Sequence, residues 1–206
     1  MLRKQAMRSI AVRAMLAAVI GACLTAPVHA GVKVVTRTQT YPIVGGTGQA
    51  LVDAMDRNGP RQGFMTRAIA QTTYTVDWRF EVRSTGKACR LAAADGTLNL
   101  TYMFPRATSP MPASLAARWK RFFAGVRKHE RTHGRIARAM VSAASKAARG
   151  VAFDDDPSCR RTRREAKRRI DAVYRTYEAR QVAFDKREHG DGGPVERLVA
   201  AFVRER

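Results

Sequence analysis

Hydrophobic and polar residues alternate along three segments in the first half of this 206-residue chain. Residues 32–40 and 72–83 alternate regularly enough to predict strands with one buried face and one exposed face. Residues 89–104 have the same character and predict either one long strand or a hairpin that turns at Asp95-Gly96. Residues 49–57 have helical spacing instead, and this short helix is predicted to end at Asn58-Gly59-Pro60.

The second half of the chain has helical periodicity. After a linker at residues 105–112, residues 113–149 lack proline and predict a long helix that Gly150 ends. A second long helix is predicted from Asp154-Asp155-Asp156-Pro157 to about Phe184. Steps of four and three define the inward face of the first helix: Leu115, Trp119, Phe122, Val126, His129, His133, Ile136 and Met140.

These elements predict an α+β fold in which a small N-terminal β-sheet packs against two long antiparallel helices. Residues 31–190 are expected to form a single domain, since that length suffices for one hydrophobic core. Residues 191–206 are expected to form a C-terminal tail with a short amphipathic helix.

The N-terminus has the features of an export signal. A basic start precedes an apolar run at residues 14–26, which is too short to cross a bilayer as a helix. Val28-His29-Ala30 resembles a signal peptidase site, so residues 1–30 are predicted to be removed from a periplasmic or extracellular protein. The alternative is a lipobox at residues 20–23, which would leave the protein anchored to the membrane through a lipid on Cys23.

Removal of Cys23 would leave two cysteines, Cys89 and Cys159. An even pair in an oxidising compartment usually forms a disulfide. This bond would close a loop of about 70 residues and stabilise the fold by on the order of 3–5 kcal/mol. Two buried free thiols are the alternative.

The chain is strongly basic, with a formal net charge of +21. Four basic residues and no acidic residue lie in residues 1–30, which leaves +17 for the rest. This charge favours contact with anionic components of the cell envelope. The basic residues are scattered along the sequence without an aromatic-plus-basic platform, so neither a binding stripe nor nucleic-acid binding is expected. A monomer is expected.

Residues 129–133 have the sequence His-Glu-Arg-Thr-His, which is an HExxH motif on the predicted long helix. Residues four apart share a helix face, so His129 and His133 can bind one Zn²⁺ ion between them, as in a zincin-like active-site helix. Glu130 can act as the general base on a water molecule that zinc acidifies. The alternative is a pair of hydrogen-bonded core histidines with Glu130 on a solvated edge.

A catalytic zinc requires three protein ligands and one open position. The extended pattern HExxHxxGxxH is absent, so the third ligand is expected further along the chain. His189 is the first candidate because it follows the second long helix, where the chain can turn back. The alternatives are three acidic residues of that helix: Glu165, Glu178 and Asp185.

Two further features could act on a substrate. Tyr174 or Tyr177 could donate a hydrogen bond to an oxyanion, although both could instead be core aromatics. An edge strand at residues 98–104 could bind the substrate backbone as an added strand.

The chain resembles the bacterial predicted secreted zinc-dependent proteases, a family catalogued mainly as a domain of unknown function. The resemblance implies a signal peptide, a Cys89–Cys159 pair and peptidase activity. In the closing motif the chain departs from the family, with Phe184 in place of a Tyr and Glu188 near the position of a Thr. The resemblance depends on Tyr41-Pro42, Asn58-Gly59-Pro60, Trp78-Arg79-Phe80, Cys89, Pro105, Trp119, the HExxH motif, Cys159, Phe184-Asp185 and His189-Gly190.

The first hypothesis is therefore a zinc metallopeptidase of the cell envelope that acts on a peptide or protein. The second is a non-catalytic envelope protein with a structural zinc, which binds anionic polymer or membrane through its basic surface. A third, a DNA-binding protein, conflicts with the export signal.

Overall fold

The computed structural model describes residues 31–62 and 66–204. The predicted signal segment, including Cys23, lies outside these residues. The α+β prediction is confirmed. The strands are β1 (Val32–Ile43), β2 (Arg61–Gln62), β3 (Thr66–Arg67), β4 (Gln71–Thr85), β5 (Ala88–Ala107) and β6 (Ala152–Phe153). The helices are α1 (Gly48–Asn58), α2 (Ala113–Ala148), α3 (Arg160–Glu188) and α4 (Pro194–Val203).

Strand β5 is the centre of the main sheet. β1 pairs with it in parallel on one side and β4 pairs antiparallel on the other, while β6 pairs with its N-terminal end. The hairpin alternative is wrong because β5 continues through Asp95-Gly96. Asp95 forms an ion pair with Arg79 on the neighbouring strand instead of a turn, and the β4–β5 connection turns at Gly86, where φ is +77°. β5 also extends into the predicted linker, as far as Ala107.

Helix α2 lies across one face of this sheet, and α3 packs antiparallel beside α2. Four residues of the predicted inward face are buried, but the other four are only partly buried: Trp119, His129, His133 and Ile136. Glu130, Gly134 and Ala137 face the sheet in their place. A side chain at Gly134 would collide with the Tyr102 hydroxyl of β5, so glycine permits the close approach of helix and sheet at the HExxH motif.

Helix α3 begins at Arg160, later than the predicted Asp154 to Pro157, and it ends at Glu188, later than Phe184. The chain before it pairs with β5 as β6, and Cys159 there forms the expected disulfide with Cys89. The Asp156 carboxylate accepts hydrogen bonds from the backbone N–H groups of Arg161 and Thr162. Asp156 thus provides hydrogen-bond acceptors for N–H groups of the first turn, which lack partners within the helix. It does so from a position four residues before the first helical residue.

We expect Asp156→Asn to lower the melting temperature at neutral pH. Burial alone would raise the pKa of Asp156, but hydrogen bonds from Thr162 and Arg161 outweigh it and lower the pKa. A carboxyl with a lowered folded-state pKa stabilises the fold above its unfolded-state pKa, about 3.9, and loses that contribution as pH falls through the folded-state value. Thermal unfolding of parent and variant between about pH 7 and pH 2 tests this. A constant difference across that range would contradict it.

The short helix predicted in the C-terminal tail is α4, and it packs into the core. Phe202 is buried, and its ring stacks on Phe122 of α2 with 4.4 Å between the centroids. Within the residues that the structure describes, no helix is both long and apolar enough to cross a membrane.

Candidate metal centre

His129 and His133 lie on the flank of α2 that packs against the C-terminal half of α3. Their side chains are 11% and 14% exposed, and their Nε2 atoms are 3.1 Å apart. Phe184 of α3 stacks on the His129 ring at 4.9 Å and meets the His133 ring edge-on at 5.0 Å. The helix spacing and this aromatic contact together orient both imidazoles toward one point.

Asp185 of α3 places a third atom at the same point. Its Oδ1 lies 2.9 Å from His133 Nε2 and 3.5 Å from His129 Nε2. Ligand atoms bound at about 2.0–2.1 Å in a tetrahedral arrangement are roughly 3.3 Å from one another. The separations among these three atoms lie close to this value, so the residues fit a zinc ion.

Gln181, one turn before Asp185, determines which nitrogen of His133 faces that point. The Gln181 Oε1 lies 2.7 Å from His133 Nδ1, and Gln181 Nε2 donates to the His133 carbonyl at 3.2 Å. The second bond identifies which end of the amide is oxygen, so Nδ1 must donate its hydrogen. A neutral His133 then presents the bare Nε2 lone pair to Asp185 Oδ1. Lone pairs of His129, His133 and Asp185 that converge in this way favour a cation between them.

The electrostatic environment of His129 suits a metal ligand. Burial lowers the pKa of His129, and the neighbouring His133 and His189 lower it further, against Asp185 and Glu188. A lowered pKa favours the neutral imidazole, which is the form that binds metal. The His129 Nδ1 is buried and has no hydrogen-bond partner within the described ranges, although Glu188 Oε2 lies 3.7 Å away. Glu188 is thus positioned to orient this ring by accepting the Nδ1 hydrogen after a small shift.

His189, the first candidate for the third ligand, lies at the C-terminal end of α3. It is exposed, its ring centroid is 5.2 Å from that of His129, and one ring nitrogen lies within 4.8 Å of ligand atoms of His129 and Asp185. The structure therefore brings both candidates to the site, with Asp185 making the short contacts and His189 at the rim.

The other two acidic candidates are elsewhere. Both Glu165 oxygens accept hydrogen bonds from neighbouring arginines. Glu178 lies seven residues before Asp185, which corresponds to about 10 Å along the helix.

Glu130 is buried, with 5% of its surface exposed. Its Oε2 accepts a hydrogen bond of 2.6 Å from the Thr72 hydroxyl of β4. Burial raises the pKa of Glu130, while the Thr72 hydrogen bond and His133 oppose the rise. The alternative that placed Glu130 on a solvated edge is wrong. A carboxylate with a raised pKa is suited to accept a proton near neutral pH.

One cavity of about 510 Å³ is lined by the site residues His129, Glu130, His133, Asp185 and His189. Residues from the start of β4 also line it. Tyr174 and Tyr177 do not line it. The Tyr174 hydroxyl accepts a hydrogen bond from Trp78 Nε1, and the Tyr177 ring packs under Arg180. Tyr74 of β4 contributes the phenol that does line the cavity.

The expected edge strand at residues 98–104 is wrong, because these residues belong to β5 and pair with β1 and β4 on its two sides. Among the described residues β4 pairs with β5 alone, so its outer edge is free beside the cavity, where Gln71 and Thr72 contribute to the lining.

Sequence reasoning missed Thr72, Gln181 and the packing role of Phe184. The sequence could have indicated Gln181, because this residue lies four positions before Asp185 and therefore on the same face of the helix.

A family model described as "Bacterial protein of unknown function (DUF922)" matches residues 38–193 of the chain. This range contains the HExxH motif, Asp185, His189 and both disulfide cysteines. No curated protein and no solved structure matches the chain.

Proposed function

The chain belongs to the bacterial DUF922 family, and we propose that it is an exported zinc-dependent peptidase. One observation carries the proposal. His129 Nε2, His133 Nε2 and Asp185 Oδ1 converge within 2.9–3.5 Å of one another, in the same cavity as the buried carboxylate of Glu130. Export is supported by the sequence of residues 1–30 and by the disulfide, which requires an oxidising compartment.

In this proposal His129, His133 and Asp185 hold the zinc ion. Zinc in such a site polarises a peptide carbonyl and acidifies water. Glu130 accepts the proton of the attacking water and passes it to the leaving amine. Thr72 positions the Glu130 carboxylate, and Gln181 holds His133 in the tautomer that binds metal.

The substrate in this proposal is an extended polypeptide. The free edge of β4 presents backbone N–H and C=O groups beside the cavity, and such an edge binds an extended chain as an added strand. Gln71 and Thr72, which line the cavity, would lie under the residues next to the scissile bond.

The test of the metal site compares Asp185→Ala with His189→Ala. The parent should bind about one zinc ion per chain. Asp185→Ala should weaken zinc binding by more than about a hundredfold, because even the loss of an outer partner of a ligand costs roughly 10- to 100-fold. His189→Ala should weaken zinc binding about tenfold or less, and Glu178→Ala should leave the zinc affinity unchanged. Competition with a chromogenic chelator measures each affinity.

A reversed order, with His189→Ala the more damaging change, would reassign the third ligand. A parent protein that binds no zinc would remove the metal site and the peptidase proposal with it.

A non-catalytic protein with a structural zinc is the second candidate, and the position of His189 favours it. If His189 joined the other three residues, four protein ligands would saturate a tetrahedral ion and leave no position for water. X-ray absorption of the zinc form separates the two candidates. Three protein ligands plus a water oxygen support the peptidase, and four protein ligands support the structural site.

A further inference from the structure

A groove of about 950 Å³ runs between β1 and the flank of α2 opposite to α3. Its floor carries three threonines that alternate along β1 and therefore share one face of the sheet: Thr36, Thr38 and Thr40. Its wall carries five basic residues of α2: Arg127, Lys128, Arg131, Arg135 and Arg138. None of the described residues that line this groove carries a carboxylate.

Arg127, Arg131 and Arg135 of the wall keep donors for a ligand, although Arg135 also donates to the Thr132 hydroxyl and Arg127 lies over the Phe123 ring. Within the described part of the chain, none of the ion pairs involves Arg127, Arg131 or Arg135. Arg138 donates to the Thr36 hydroxyl at 3.1 Å. An arginine of α2 is thus long enough to reach across the groove to β1.

The outer edge of β1 is also unpaired in the described structure, because β1 pairs with β5 alone. This strand has 12 residues, and its only proline is Pro42 near the C-terminal end. A long row of free backbone N–H and C=O groups is a template for an added strand. The groove therefore offers hydrogen bonds to a peptide backbone together with positive charge.

The two sides of the groove match in direction and spacing. α2 runs antiparallel to β1, since Arg138 meets Thr36 whereas Phe123 packs on Phe104, the β5 partner of Thr40. Arg127, Arg131 and Arg135 succeed one another at about 6 Å along the helix axis, the rise of four residues. Alternate residues of a strand are about 6.6–6.8 Å apart. A strand added to β1 would therefore present every second side chain to successive arginines.

We propose that this groove binds an acidic, extended polypeptide segment by strand addition to β1, with carboxylates at alternate positions paired to the arginines of α2. The guanidinium fork matches a carboxylate through two parallel hydrogen bonds. The site does not depend on zinc, because it lies on the opposite flank of α2 from His129 and His133.

The test uses a fluorescein-labelled peptide of about twelve residues in which Glu and Thr alternate, and anisotropy reports binding to full-length protein carrying Glu130→Gln. The triple variant Arg127→Gln, Arg131→Gln, Arg135→Gln should weaken binding about 30-fold, as expected for three exposed ion pairs that each contribute about threefold. The charge-matched triple Arg83→Gln, Arg164→Gln, Arg175→Gln, at exposed sites elsewhere, should change it less than about twofold. Equal losses in both triples would show an effect of net charge and overturn the proposal.

Two further ligands test the strand. A peptide with Pro in place of each Thr keeps the charge but lacks half of the backbone donors, so it should bind at least about tenfold more weakly. Inorganic polyphosphate and phosphatidylglycerol vesicles supply charge without a peptide backbone and should compete poorly. Binding of the Pro peptide, the polyphosphate or the vesicles as tight as that of the Thr peptide would overturn strand addition. Should the arginine triple fail to fold, Arg131→Gln alone, expected to be about threefold weaker, serves in its place.

Discussion

Glu130→Gln should lower the rate of peptide hydrolysis by about a thousandfold while zinc remains bound. A positioned general base contributes roughly 10²- to 10⁴-fold, and the amide cannot accept the proton. The Gln side chain has the same shape, and its oxygen can still accept the hydrogen bond from Thr72. The fold and the His129–His133–Asp185 cluster should therefore be unchanged, which isolates the chemical role of the carboxylate.

Hydrolysis of a labelled, denatured protein measures the rate, and metal analysis of the same sample measures zinc. Glu178→Gln is the matched control, because it makes the same change of charge on an exposed residue of α3. Parental activity in Glu130→Gln would remove the peptidase proposal while leaving the zinc site. Loss of both zinc and activity would instead show that Glu130 is needed for metal binding.

The elements of this fold were predictable from the sequence because their hydrophobic periods are long and regular. The first and last residues of these elements were less predictable, because tertiary contacts determine where each element ends. Asp95-Gly96 has the composition of a turn, yet Gly96 lies within β5, where Val141 of α2 and Trp78 of β4 leave no space for a side chain. The acidic run before α3 has the composition of an N-terminal cap. However, β6 pairs with β5 and Cys159 forms the disulfide, so the helix begins only at Arg160.

The candidate site was likewise predictable from local spacing but not in the features that depend on tertiary packing. Spacing of four residues predicted that His129 and His133 share a face, and they do. Periodicity does not determine how a helix is rotated about its axis against a sheet. Small Gly134 and Ala137 let α2 approach β5 at that face, which turns Glu130 inward and leaves the histidines facing α3.

The choice between Asp185 and His189 depends on the register of α3 against α2. That register arises from packing between distant parts of the chain, so no local spacing encodes it.

The basic groove was missed for a related reason. Counted along the sequence, the arginines are scattered, and that argued against a binding stripe. On α2, Arg127, Arg131 and Arg135 recur every fourth residue, and the structure aligns them beside an unpaired strand edge. Charge patterns on a long helix thus have to be assessed by helix face.

Cys89→Ser combined with Cys159→Ser should lower the free energy of unfolding by about 4 kcal/mol, the chain-entropy value for a loop of this length. The bond joins residues 70 apart and ties the start of β5 to the N-terminal end of α3. The same junction is held by the Thr162 hydroxyl, which donates to the Cys89 carbonyl. Without the covalent link, the unfolded chain gains freedom that this hydrogen bond alone cannot offset. Urea unfolding of the parent, the double variant and the reduced parent measures the loss, and a double variant as stable as the parent would contradict it.

The same variant should leave the zinc affinity of the folded protein unchanged. Asp185 lies 25 residues beyond the first residue of α3, or nearly 40 Å along the helix at about 1.5 Å per residue. If the disulfide acts on the unfolded chain, its removal lowers stability without moving the ligands at the far end of α3. Zinc should then stabilise the parent and the double variant equally, because binding to the folded state adds a free energy that depends only on affinity and concentration. A smaller zinc-induced gain in the double variant would show that the disulfide also sets the position of α3 against α2, and hence the geometry at Asp185.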